Sequence, residues 1–403
     1  MAKLQMDRRA FMLTSAGMIT AGMGANCARA SVGEIQEAAA KVGRLPRRAL
    51  GRTGREVSAL VGSATWAAEA VEAALLCGIN FWHKADEWAD GAPEAILRNR
   101  DAHYCQVCVD RVRGNHERGV IDEEAHYQLV KRALAQTRLR YFDDMQLHFG
   151  YHHIAELKSN RAFVRAFERL KKEGLVRHLC LSQHSYGGNG RVPGGENAPE
   201  ILTAVMEDGI YEHAQFAFTF GDNPAIGEFV SQAHRRGFGT IAMKTTGGAA
   251  RMQDDREFMK GFPPGTTPHQ ALARWLTTRT ELDAAVIQIN NLRQFVDTYS
   301  GAGQAMRAAD SQAIEKMTAY ANREVCRLCN ACQSHCEQGV PIADILRYER
   351  YARDYGDGAR ARRLYAQLDK QGDACIVCGS CLPHCPQELQ IPGKLAAAHR
   401  ILS

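Results

Sequence analysis

The chain has 403 residues, a formal net charge of +5, 45% hydrophobic residues and 24% charged residues. This balance excludes wholesale disorder and supports a large buried core, with two or three domains expected at roughly 100–200 residues each. Outside the N-terminus no apolar run is long enough to cross a membrane, and the mild charge shows no basic stripe for nucleic acid. The 13 cysteines are unevenly placed: Cys27 alone, then Cys77, Cys105, Cys108 and Cys180, then eight within residues 326–403. Tight clusters in a long chain point to metal binding rather than a disulfide framework.

Residues 1–30 begin basic and continue into a short, Gly-containing apolar run too short to span a bilayer. Arg8-Arg9-Ala10-Phe11-Met12 is similar to a twin-arginine export signal, and Ala28 and Ala30 offer small residues before a cut at Ser31. Export to the periplasm is the expectation, and the mature chain is then close to neutral with no integral membrane segment. The alternative is a basic tail on a cytoplasmic protein. Residues 31–48 read as a linker.

Between residues 49 and 303 short β-rich runs alternate with helical stretches. Strands are expected at 57–65, 79–85, 103–109, 141–148, 176–182, 212–219, 238–245 and 283–290. Helices are expected at 123–137, 160–173, 223–236 and 267–278. The stretch 160–173 puts Phe163, Phe167 and Leu170 on one face, with Gly174 as its stop. Eight alternating units predict an α/β fold, a parallel (β/α)₈ TIM barrel. An open doubly wound sheet is the alternative, weakened because no G-x-G-x-x-G follows the first strand.

Six ordered segments of this region resemble the aldo-keto reductase family. They are Leu50-Gly51-Arg52-Thr53-Gly54, Gly78-Ile79-Asn80-Phe81, Asp144-Met145-Gln146-Leu147-His148, Lys172-Glu173-Gly174-Leu175-Val176-Arg177, Leu181-Ser182-Gln183-His184 and Ile241-Ala242-Met243-Lys244. The resemblance implies a barrel whose mouth carries a Tyr proton donor tuned by a Lys and an Asp, with a His orienting the substrate. Residue by residue, His83 stands at the Asp position, Trp88 at the Tyr position and Cys108 at the Lys position; only His148 is retained. An indole N–H is too weak an acid to replace the phenol, so the family's carbonyl reduction is not expected. Two readings stay open: another chemistry built from His83, His148, Trp88 and Cys108, or a barrel that serves as a scaffold. The two histidines and the thiol could also bind a metal. The resemblance also implies an NAD(P)H site, with Ser182, Gln183 and Gln215 toward the nicotinamide; Arg293 or Lys244 is the candidate for a phosphate, and simple solvation of these lone basic residues is the alternative. Against that site, Ile289 stands where the family places a Gly that lets backbone approach the phosphate.

The tail, residues 304–403, carries Cys326-x₂-Cys329-x₂-Cys332-x₃-Cys336 and, 49 positions on, Cys375-x₂-Cys378-x₂-Cys381-x₃-Cys385-Pro386. This is the bacterial ferredoxin spacing used twice, and it predicts two [4Fe–4S] clusters. In two-cluster ferredoxins the fourth Cys of each run serves the other cluster. The expected sets are therefore Cys326, Cys329, Cys332 with Cys385, and Cys375, Cys378, Cys381 with Cys336. The quartets sit in an internal repeat, Cys336-x-Gln338-x₃-Ile342-x₃-Leu346 matching Cys385-x-Gln387-x₃-Ile391-x₃-Leu395, with Glu337 in place of the usual Pro. A helical stretch, 343–370, separates the motifs. The arrangement resembles an α-helical ferredoxin-like domain; zinc is the alternative metal.

Together these features predict an exported iron–sulfur oxidoreductase with a redox partner protein and a small-molecule substrate in the barrel mouth. The competing readings are a non-catalytic electron-transfer or scaffold subunit and an NAD(P)H-dependent carbonyl reductase.

Overall fold

The computed structural model describes residues 30–110, 122–148, 150–151, 153–159, 161–183, 198–221 and 224–403. The expected export signal, residues 1–30, lies almost wholly outside them. Eight parallel strands close into a barrel: β3 (Leu60–Ser63), β4 (Phe81–His83), β5 (Tyr104–Asp110), β6 (Phe142–His148), β7 (Val176–Gln183), β8 (His213–Ala217), β9 (Gly239–Met243) and β10 (Ala284–Val286). β10 pairs with β3 through Ala285↔Leu60 and with β9 through Ala285↔Ala242, which completes the ring. Every expected barrel strand is present, and the open sheet is excluded.

The first expected strand, 57–65, is two elements. A short hairpin of β1 (Arg47–Ala49) and β2 (Glu56–Ser58) precedes β3. The chain breaks at Ala59, whose N–H donates to Pro46 O while its carbonyl accepts from Ala285 N. The hairpin turn closes the N-terminal end of the barrel. Gly51 lies so close to Gly239 that a Cβ on it would sit 2.4 Å from the Gly239 nitrogen, and its N–H donates to Asp283 at 3.0 Å. No side chain fits that approach.

The helices follow the apolar spacing. Helix Ala162–Lys172 buries Phe163, Phe167 and Leu170, and Gly174, at φ +73°, ends it. Residues 31–48, expected as a linker, begin with helix Val32–Val42. A capping box fixes its start: Ser31 N–H donates to Glu34 at 2.7 Å and Glu34 N–H donates to Ser31 Oγ at 3.3 Å. Its buried Ile35, Ala39 and Val42 join the barrel core.

The packing boundary between the two regions lies beyond residue 304. Helix Ala308–Glu324 packs on barrel helix Pro268–Thr278, where Arg274 meets Asp310 at 3.0 Å, and Met317, Ala321 and Val325 belong to the barrel core. A second core then runs from Cys332 to Leu402, built on helices Ile342–Arg353, Gly358–Ala366 and Ile391–Leu402. The stretch 343–370 is thus broken. Gly356, at φ +70°, turns the chain and the Asp357 carboxylate caps the next helix at Arg360 N–H. Among the described residues no helix is long and apolar enough to cross a membrane.

Buried charge locks the two regions together. Arg251 of the barrel meets Glu349 at 3.0 Å and Asp354 at 2.9 Å, and all three side chains are buried or nearly so. Arg353 also reaches Glu349 at 3.1 Å and Arg350 reaches Asp354 at 3.5 Å, so losing Arg251 removes the one cation that the barrel contributes and leaves the carboxylates paired within their own helix, at a cost of about 2 kcal/mol. Arg251→Met is therefore expected to lower the thermal midpoint and to split one unfolding transition into two. A single transition at the wild-type temperature contradicts this account of the interface.

Candidate functional site

A cavity of about 360 Å³ opens at the C-terminal ends of the barrel strands, the end that carries chemistry in this architecture. β4 contributes His83 as its last residue and β6 contributes His148 as its last. Gln215 comes from β8, Lys244 follows β9, and Gln288 and Asn290 follow β10. The far wall belongs to the helical region: Tyr351, Tyr355, Asp357 and Arg360. No local pattern marks these four, because the contact joins segments far apart along the chain.

His83 heads a buried polar chain inside the barrel. Gln106 Nε2 donates to Asp144 Oδ2 at 3.1 Å, which turns Gln106 Oε1 toward His83 Nδ1 at 2.5 Å. His83 Nδ1 must therefore carry the proton, and Nε2 is the acceptor. Burial, aided by Lys84, His148 and Lys244 and opposed by the Gln106 bond, lowers the imidazole to about 3. His83 is neutral at pH 7 and can accept a proton or a hydrogen bond. The chain continues from Asp144 to His213 Nε2 at 2.6 Å. Asp144, Cys180 and His213 place one potential ligand atom each within 4.8 Å of one another, all fully buried. The sequence reading sought a His/thiol group at the mouth instead, where Cys108 Sγ stands 3.8 Å from His83 Nδ1.

Cys108 donates to Gln146 Oε1 at 3.4 Å, and burial together with Asp86 pushes its thiol well above the ordinary value. It is a protonated donor and not a thiolate nucleophile. Trp88, expected in the mouth, is buried against Trp82 with ring centroids 5.9 Å apart, and it is not among the described residues lining the cavity. The indole follows the apolar core because its large ring gains more there than at a wet rim.

The expected nicotinamide residues divide. Gln215 and Lys244 line the cavity. Gln183 is spent on backbone, donating to Tyr151 O at 3.1 Å and accepting from Tyr151 N at 3.2 Å. Ser182 Oγ faces Met243 Sδ at 3.8 Å. Ile289 is buried. Half of the expected set is therefore committed inside the protein, a poor fit to a nicotinamide carboxamide.

A phenol enters the mouth from the helical region, that of Tyr351. It is buried; Lys244 Nζ lies 5.5 Å from its ring centroid and the Arg360 guanidinium 4.9 Å from it. Burial resists its ionisation, but Lys244, Arg347, Arg360 and Arg350 outweigh this and draw it below the ordinary value of 10.

The eight tail thiols gather in two sets. Cys329 and Cys385 act on Cys326, and Cys326, Cys329 and Cys385 act on Cys332, which also feels Cys381 of the second set. The thiols that act on Cys381 are Cys336, Cys375 and Cys378, and these four line one small cavity with Ile342 and Leu395. Burial and mutual repulsion push Cys326 up to about 11 and Cys332 further. Such a set holds thiolates only with a cation among them. Backbone N–H groups of Leu328, Val340 and Leu389 donate to Cys326, Cys336 and Cys385 at 3.3–3.4 Å. The same loop recurs in both motifs, with left-handed backbone at Leu328 and Asn330, then at Val377 and Gly379. A branched Val in that region is strained, which signals a conformation fixed by function. His335 and His384 stack across the repeat axis with centroids 3.3 Å apart, and Glu337, in place of Pro, accepts from Ser380 Oγ at 2.7 Å. This donor set, sulfur-only and screened by N–H groups, fits the expected clusters.

Beside the mouth, Asp86 accepts from Cys108 N–H at 2.9 Å, and burial pushes its carboxyl up to about 7. Between about pH 4 and 7 the folded chain keeps this proton while the unfolded chain loses it, so the contribution to stability falls as pH rises through that window. Asp86→Asn keeps the acceptor and removes the titration. Its urea midpoint, relative to wild type, is expected to be higher at about pH 8 than at about pH 4. A pH-independent difference contradicts the assignment.

No protein-family model matches the chain, and no curated protein matches it in sequence. Among solved structures, the holo form of aldo-keto reductase AKR11C1 from Bacillus halodurans is similar at 15% identity and a TM-score of 0.50, over 68% of this chain and 96% of that one. Its apo form gives 15% and 0.49 over 68% and 96%. A protein described as an aldo-keto reductase from Pseudomonas aeruginosa gives 14% and 0.46 over 65% and 97%. At these identities the similarity speaks for the barrel fold alone, and the structural neighbours of that barrel are aldo-keto reductases.

Proposed function

We propose that the protein is an exported iron–sulfur oxidoreductase whose substrate occupies the barrel mouth between His83, His148 and Tyr351. The observation that carries this reading is the shared wall: the region holding the eight cysteines also closes the cavity. Cys326, Cys329, Cys332 and Cys385 would hold one [4Fe–4S] cluster, and Cys375, Cys378, Cys381 and Cys336 the other. Clusters so held supply one-electron transfer, exchanged with a redox partner protein. The chain's own residues do the rest. Neutral His83 accepts a hydrogen bond or proton at Nε2, its ring held by Gln106. Tyr351, drawn toward ionisation by its cations, donates a proton at its hydroxyl. The rings of Tyr351 and Tyr355 from the helical region form one wall of the cavity. The committed amide of Gln183 supports electrons arriving by the clusters over a nicotinamide.

Anaerobically purified full-length protein is expected to contain about eight irons per chain and a broad visible absorbance that bleaches on reduction. Zinc in place of iron overturns the reading. In a substrate screen with an artificial electron donor, His83→Ala/His148→Ala is expected to lose roughly 100-fold or more in turnover with the iron content unchanged. Full activity in that variant removes the mouth as the reaction site. NADPH is expected to leave the tryptophan fluorescence unchanged; saturable quenching favours carbonyl reduction instead.

A further inference from the structure

The cavity brings together three donors for which the described residues supply no acceptor. Lys244 and Arg360 both line it, one from the barrel and one from the helical region, and among the described residues neither has a carboxylate partner. Both face the π-clouds of tyrosines: Lys244 Nζ lies 5.2 Å from the Tyr355 centroid and 5.5 Å from that of Tyr351, while Arg360 lies 4.9 Å from Tyr351. Such contacts orient a cation without neutralising it. The third donor is Tyr355. Its ring lines the same cavity and its buried hydroxyl has no hydrogen-bond partner. A buried polar group left so is costly unless a ligand supplies the missing partner.

Besides His148 and Tyr351, the other titratable groups lining the cavity are Lys84, Asp357 and His83. Lys84 pairs with Glu87 at 2.6 Å. Asp357, the one carboxylate among the described lining residues, accepts from Arg360 N–H as a helix cap at 3.2 Å and is exposed. His83 is neutral. The cavity therefore carries two uncompensated positive charges and an orphaned hydroxyl, which together call for an acceptor bearing negative charge.

We propose that the mouth is a binding site for a small oxyanion-bearing molecule, a carboxylate or phosphate ester, whose oxygens are held between Lys244 of the barrel and Arg360 and Tyr355 of the helical region. This rests on the reading of the mouth as the substrate site and names the chemical class of that substrate. The ligand bridges the two regions, so its binding tightens their contact.

The test is calorimetric titration of the anaerobically purified, iron-loaded full chain with oxalate, inorganic phosphate and NADPH as separate probes. Oxalate or phosphate is expected to bind saturably, more weakly at high salt. Lys244→Met and Arg360→Met are each expected to weaken the affinity roughly 10-fold or more, and Tyr355→Phe, which removes one atom, by several-fold. Arg363→Met, an exposed arginine of the same helix outside the cavity, is expected to bind as wild type. Stronger binding of oxalate marks a carboxylate substrate and stronger binding of phosphate a phosphate ester. Saturable binding of NADPH alone overturns the small-ligand site. Failure of both small anions to bind, or binding that Lys244→Met and Arg360→Met leave unchanged, also overturns it. Iron content and the effect of the histidine double variant are read separately, so anion binding can fail while the redox reading stands, and the reverse.

Discussion

The buried seat of Arg251 between Glu349 and Asp354 is the constraint on which the rest of the architecture depends. These charges are expensive to remove from water, and Arg350 and Arg353 of the same helix share the two carboxylates with Arg251. The seat therefore fixes position as much as it contributes energy. Glu349 belongs to helix Ile342–Arg353 and Asp354 caps its end. The next residues on that helix act in two other directions. Arg350 reaches the backbone carbonyl of Cys326, the first residue of the first quartet, at 3.5 Å, and Tyr351 enters the barrel mouth. One helix thus binds barrel, cysteine loop and cavity into a single unit.

The mouth draws on both regions. Trp88 is buried in the core and Cys108 is a protonated thiol. A tyrosine, Tyr351, and a cation, Arg360, enter the lining from the helical region. Inside the barrel, the layer that ordinarily packs as aliphatic side chains holds His83, Gln106, Asp144 and His213 in one hydrogen-bonded chain. Asp144 Oδ1 and His213 Nδ1 keep no hydrogen-bond partner among the described residues, so the chain is satisfied at its His83 end and incomplete at the other. The benefit falls on His83, whose tautomer is set from below.

The fold was legible because its signals are local. Periodicity, glycine stops and capping residues located all eight barrel strands and helices such as Glu123–Thr137. The hairpin before β3 was missed because Val57 to Ser63 reads as one β-rich run; only the tertiary bonds at Ala59 break it. The cysteine spacing was equally local, and so was its repeat. The mouth was legible only in part. His83, His148, Gln215 and Lys244 could be placed from their strand ends, but Tyr351, Tyr355 and Arg360 lie far along the chain, and docking alone puts them there. Gln183 illustrates the opposite limit: its type matched, while its amide was already taken by the backbone of Tyr151.

The central claim is that one helical region both carries the two metal clusters and closes the barrel mouth. The most direct measurement is an anomalous-scattering map at the iron edge from crystals of anaerobically prepared full-length protein. The account predicts two four-iron peaks, one among Cys326, Cys329, Cys332 and Cys385 and one among Cys336, Cys375, Cys378 and Cys381, with Tyr351 and Arg360 seated in the mouth. Single-atom peaks, or a helical region detached from the strand ends, would contradict it.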